Sequence, residues 1–163
     1  MASTLLMNQI SALLDQSGIS EGALSHTSSG MHFLRHRNTT VQDATLYSPL
    51  LCLVLQGAKE VGTSTRTLTV MDGQSLLVSH ALPITSRITQ ATLGCPYVAL
   101  VLPLDLELLR ELVPSAPVTP SDAQDPFSIS LCLADTELQD ALTRYLDQSE
   151  EENTRAMLAP ITL

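Results

Sequence analysis

The chain carries a single lysine, Lys59, and four histidines, His26, His32, His36 and His80. A metal centre inside a β-barrel needs two or three histidines and a carboxylate converging on one point. A His-x-His pair on one strand would supply two of them, because alternate side chains share a face. The sequence has no such pair. His32 and His36 stand four apart, His26 falls in a Ser/Gly-rich stretch, and His80 closes a strand-like run before Pro83. The glycine turn at Gly73 has no histidine after it. These histidines are expected at strand ends, exposed or hydrogen-bonded, with no metal and no cofactor.

Nucleophilic chemistry has less to stand on. There is no Gly-x-Ser-x-Gly elbow. Cys52, Cys95 and Cys132 form no Cys-x-x-Cys pair, and their odd number argues against a disulfide framework or a zinc knuckle. Cys52 and Cys132 lie in apolar runs, where a thiol behaves as a small hydrophobe. A reducing, cytoplasmic setting and no enzymatic activity are expected.

Binding of a small molecule asks for a concave apolar site with a few polar anchors. The candidate anchors are Gln56, Lys59, Ser79, His80, Arg87 and Tyr97. Gln56, Ser79 and His80 stand at strand ends, where barrel mouths form, and Tyr97 opens an apolar run. Arg87 is the one charge in Ile84–Ala91. Plainer roles stand beside these: Arg87 as a surface or salt-bridged group, Lys59 with Glu60 guarding an edge strand, Gln56 and Ser79 satisfying backbone groups. Five aromatics in 163 residues leave few rings for stacking, so a small or aliphatic effector is expected.

These residues must be positioned by one domain of 163 residues, 44% hydrophobic, with a mean hydropathy of +0.19. No apolar run approaches the ~20 residues of a membrane helix. The net charge of −9 lies entirely in residues 101–163, since residues 1–100 are balanced. No basic stripe exists to hold phosphates, so the chain is not expected to bind DNA by itself.

Leu6, Ile10, Leu13 and Leu14 give helical spacing over Thr4–Asp15, with Gly18 beyond. Residues 18–30 read as a loop or arm. From Met31 to Pro103, short β-prone runs alternate with turn residues: Met31–His36, Leu50–Gln56, Lys59–Val61, Arg66–Val70, Gln74–His80, Ile84–Gln90 and Tyr97–Leu102. That spacing predicts an antiparallel sandwich or barrel. The unbroken apolar runs Leu50–Leu55 and Tyr97–Leu102 predict strands covered on both faces. Asp105 is placed to cap Leu106–Val113, whose Leu108, Leu109 and Leu112 are expected to seal a barrel end. Pro114 to Pro126 reads as an exposed connector and Phe127–Leu133 as a strand. Thr136 with Gln139 resembles a capping box opening a helix to about Gln148. Ser149–Asn153 reads as an acidic turn before a further amphipathic segment that the chain end cuts off. The stripe Leu138, Leu142, Tyr145 and Leu146 is a candidate two-fold interface, or else packs on its own barrel.

The strand region carries a combined pattern. Tyr47-x-Pro49 precedes Leu51-Cys52-Leu53-Val54-Leu55-Gln56-Gly57, then Lys59 and Val61. Asp72-Gly73-Gln74, Leu76-Leu77-Val78-Ser79 and Leu82-Pro83 follow. Next come Ile84-Thr85-Ser86-Arg87-Ile88-Thr89-Gln90-Ala91, Pro96-Tyr97, Ala99-Leu100, Leu104-Asp105 and Arg110-Glu111-Leu112. Over roughly residues 31–160 this resembles the N-terminal domain of AraC-type bacterial transcriptional regulators. The resemblance implies a mainly β, cupin-like or jelly-roll barrel with an N-terminal helix and C-terminal flanking helices. The organisation it suggests is a helix and arm over 1–30, a barrel over 31–134 with a short helix at 105–113, and a helical segment over 135–163, cut before a helix-turn-helix DNA-binding domain. The domain would sense an effector, dimerise, or both, and DNA would be reached only through the missing C-terminal domain. A metal-dependent cupin enzyme and a ligand-free dimerisation module are the alternatives.

Overall fold

The computed structural model describes residues 2–112 and 129–158. The expected connector at Pro114–Pro126 and the final residues lie outside them. Helix α1 spans Ala2–Gln16. Its Leu6, Ile10 and Leu14, spaced by four, are all fully buried. It stops at Gly18, which takes a φ of 72° that side chains disfavour, while the Ile19 N–H donates to the Leu14 carbonyl.

Ten strands follow: β1 Gly22–His26, β2 Met31–His36, β3 Asp43–Tyr47, β4 Leu50–Gln56, β5 Ala58–Gly62, β6 Thr67–Met71, β7 Gln74–Val78, β8 Leu82–Gln90, β9 Tyr97–Pro103 and, after helix α2 (Leu106–Leu112), β10 Ile129–Leu133. Helix α3, Thr136–Leu158, completes the described chain. The strands form a six-stranded sheet, β1-β2-β9-β4-β7-β10, and a four-stranded sheet, β3-β8-β5-β6. Every pairing is antiparallel. The architecture is the mainly β, cupin-like barrel with flanking helices.

The larger sheet is a shared wall. On β4, Leu53 and Leu55 face a core made with α1 and α3, whereas Cys52 and Val54 face the four-stranded sheet. On β9, Val98 and Leu100 take the helical side and Tyr97 and Ala99 the barrel side. Burial on both faces is why these strands are apolar at consecutive positions instead of alternating.

Five expectations change. Residues 22–26 are a strand and not part of a loop. Each residue pairs with β2, from Gly22↔Arg35 to His26↔Met31. Strand β3 was not anticipated; it runs along the edge of the smaller sheet with Asp43–Leu46 exposed, so no apolar alternation marks it. Helix α3 runs through the expected acidic turn, where Ser149 and Thr154 are accommodated with their hydroxyls bonded back to the carbonyls four residues earlier, 2.8 and 3.0 Å. Its cap is Asp135, whose carboxylate accepts from the Leu138 N–H at 2.8 Å, and not Thr136. Lastly, α2 is capped by Asp105 as expected, but none of its residues is buried and Leu108, Leu109 and Leu112 stay exposed, so it seals nothing.

Candidate functional site

The one lysine points inward. Strand β5 lies between β6 and β8, with Lys59 opposite Val70 and Ile88. It is therefore not an edge strand, and Lys59 does not guard one. Its side chain is only 6% exposed. The ammonium donates to Cys52 Sγ at 3.3 Å and to Tyr47 Oη at 3.4 Å, and sits 5.6 Å from the centre of the Tyr47 ring. No carboxylate lies within ion-pair distance of it among the described residues. Tyr97, 1% exposed, comes from the opposite wall, and its hydroxyl has no well-formed hydrogen bond among the described residues.

Burial of these groups shapes their protonation. Burial opposes the Lys59 ammonium, but Cys52, Tyr97 and Tyr47 together outweigh it, and the amine holds its proton well above the usual lysine range. Burial pushes the Tyr97 phenol far above its own range, so it remains an O–H donor at any physiological pH.

Lys59, Tyr97 and Arg87 line one cavity of about 380 Å³. That is within the roughly 300–1,000 Å³ of small-molecule sites. Leu34, Val41 and Ile88 supply apolar wall, while His36, Asp43 and Tyr47 complete much of the rest. Arg87 is held by Glu60, Nη2 to Oε2 2.6 Å, and its side chain is half exposed. Its plainer reading as a salt-bridged group therefore describes it.

The other anchors are elsewhere. Gln56 donates to the Pro96 carbonyl at 2.6 Å and borders a second cavity with Gly57, Gln90 and Cys95. Ser79 and His80 are exposed, 3.2 Å apart, at the β7–β8 connection and do not line the Lys59 cavity. Tyr47 and Cys52 belong to the site although sequence reading passed over them. The usable signal was parity: Cys52 shares a face with Val54, but an apolar residue at every position of β4 conceals which face is inside.

The histidines are dispersed. His26 Nδ1 lies 2.7 Å from Ser29 Oγ and its Nε2 2.5 Å from Glu150 Oε1. His32 meets Ser25, and His36 meets Glu21. Among the described residues no three His, Cys, Asp or Glu side chains come together. Leu142 and Leu146 are buried against α1 and the large sheet of their own chain, with Leu138 packed beside them. Tyr145 is 44% exposed and donates to the Ser29 carbonyl at 2.8 Å. Two members of the candidate interface stripe are thus already covered within the chain. No described helix is long and apolar enough to cross a membrane.

The family of AraC-type transcriptional regulator N-termini matches residues 27–163, and the chain belongs to it. It is the regulatory domain of an AraC-type transcription factor. No curated protein matches the sequence. Solved structures with similar folds include apo ToxT from Vibrio cholerae, at 11% identity and a TM-score of 0.44, covering 80% of this chain and 52% of ToxT. A cupin-2 domain protein from Shewanella frigidimarina has 10% identity and a TM-score of 0.30, over 45% of this chain and 69% of that one. A salicylate 1,2-dioxygenase from Pseudoaminobacter salicylatoxidans, in complex with gentisate, has 13% identity and a TM-score of 0.33, over 80% and 34%. This chain thus spans about half the length of ToxT. At these values the likenesses carry no argument about ligand or activity.

Proposed function

We propose that the barrel cavity is the effector site of this domain and that the domain senses a small molecule without transforming it. The observation that carries this is the buried Lys59 ammonium on the wall of a barrel interior left partly open. A domain evolved only to associate has no need for a desolvated charge beside empty space, because burying it costs free energy that a methionine there would not. The pure dimerisation reading is less well supported for that reason. A metal-dependent enzyme is less well supported because the histidines stand apart.

The site reaches the helices through the shared wall. Tyr97 lines the cavity and Cys52 holds Lys59 from the barrel side, and their neighbours Val98 and Leu53 face α1 and α3. An occupant that fits one arrangement of β4 and β9 better than another would shift the population of α3 positions by its differential affinity. The remainder of the reading is that two copies associate and that DNA is held by a helix-turn-helix domain elsewhere in the regulator, in the cytoplasm. The acidic balance of this domain agrees with the DNA part.

Chemical-shift mapping with a library of neutral and charged small molecules tests the cavity. Hits are expected to centre on Lys59, Tyr97 and Ile88, and Ile88→Phe, checked for folding by circular dichroism, should abolish them. Hits confined to other surfaces, or unaffected by Ile88→Phe, would overturn the proposal.

A further inference from the structure

Two residues that line this cavity, Lys59 and Tyr97, carry donors with hydrogen-bonding capacity left over. The Lys59 ammonium has three N–H bonds. Two are directed at a thiol and a phenol, at 3.3 and 3.4 Å, both weak acceptors at long range. The Tyr97 hydroxyl is nearly fully buried and, among the described residues, has no well-formed hydrogen bond, with only the weakly accepting Cys52 thiol beside it. A desolvated cation and an orphaned donor on one cavity wall are each costly alone. Both costs vanish if the cavity receives an anion with two acceptor oxygens.

The rest of the lining narrows the choice. Only one buried cation is available, because Arg87 is neutralised by Glu60. Asp43 stands in the same lining and repels a second negative charge. Phosphates and diacids therefore fit poorly. A neutral polyol would leave the ammonium without a counter-charge. Leu34, Val41 and Ile88 call for an apolar body behind the charged head.

We infer that the occupant is a small monocarboxylate, its two oxygens taken by Lys59 and Tyr97 and its hydrocarbon body laid against Leu34, Val41 and Ile88. This rests on the cavity being the effector site, and names the ligand class for it.

The test uses straight-chain monocarboxylates from acetate to octanoate as probes, with the matching primary amides as uncharged controls. Binding to the 163-residue chain is read by calorimetry and by chemical shifts. Affinity should rise with chain length until the cavity is filled, and each amide should bind about tenfold or more weaker than its acid. Lys59→Met should remove the preference for acid over amide. Tyr97→Phe should weaken the acids severalfold, and Ser79→Ala, outside the cavity, should leave them unchanged. Circular dichroism confirms each fold; Lys59→Gln replaces Lys59→Met if that variant is unfolded. Equal binding of acid and amide, or a preference that survives loss of Lys59 and disappears with Arg87, would overturn the inference. Neutral ligands that enter the cavity while carboxylates do not would defeat the carboxylate and leave the effector site standing. If neither class shifts Lys59, Tyr97 or Ile88, both fall.

Discussion

The six-stranded sheet separates two interiors built from the same strands with opposite character. On the helical side, Leu6, Ile10, Leu14, Phe33, Leu53, Leu100 and Leu146 are each within 1% of complete burial, and the buried charge at its margin, Arg35, is paired with Asp15 of α1 at 2.7 Å. Across the wall, Val54, Val61, Val70 and Leu76 are equally buried, yet they surround Lys59, an unsatisfied tyrosine hydroxyl and a cavity. Density, and a charge that has its counter-charge, mark a region that serves stability. Space and a charge without a counter-charge are the features on which the proposed effector site rests.

The largest effect that could break this contrast comes from paired truncations. Leu100→Ala on the helical side should cost about 4–5 kcal/mol, and Ile88→Ala on the cavity side about 2 kcal/mol, the two ends of the range for such changes. Ile88 already borders open space, so its removal forfeits fewer contacts. Equal losses in urea unfolding would mean that the barrel interior is packed as tightly as the other core.

A smaller effect sharpens the electrostatic half. An unfolded tyrosine ionises near pH 10 and an unfolded lysine slightly above. In the folded chain burial keeps Tyr97 protonated to a higher pH, and Lys59 also holds its proton longer. The unfolded state therefore releases protons first. The stabilisation is complete below about pH 10 and is lost as pH rises beyond it. Tyr97→Phe should flatten that alkaline decline, by up to about 1.4 kcal/mol per pH unit for one proton. Identical slopes for parent and variant above pH 10 would show that Tyr97 is not shielded.

The smallest effect is at the rim. Glu60→Ala, which frees Arg87, should change stability by no more than about 1 kcal/mol, as exposed pairs do. A larger loss would make the rim part of the core and blur the division between the two interiors.

How much of this could be read from the sequence depended on which side of the wall a residue served. Strands β2, β4, β7 and β9 were legible because Gly57, Gly73, Pro83 and Pro103 punctuate apolar runs. The double burial of Leu50–Leu55 and Tyr97–Leu102 was legible for the same reason. Strands β1 and β3 were not, since Ser25, His26, Asp43 and Thr45 give a pairing strand no apolar signature. Within the site, Lys59, Arg87 and Tyr97 were legible as unusual residues. That Lys59 faces inward was not, because it follows a bulge that breaks the count from β4 to β5. Leu142 and Leu146 stood out as a stripe, but a stripe is equally suited to a partner or to α1, and only the fold decides.

The bend between β4 and β5 has a consequence for fidelity. A strand apolar on both faces carries little information about which face is which. Slid by one residue, β4 would offer Leu53 to the cavity and Cys52 to the helices, and hydrophobicity alone would raise small objection. What rejects the error is steric. Gly57 takes a φ of 83°, and a methyl group added there would lie 2.4 Å from the Gln90 carbonyl oxygen. Only that residue can pass through the gap, so only one alignment brings a residue without a side chain to it. The same constraint sends Lys59 to the inside. An ambiguous message written in leucine and valine is proofread by a single missing atom.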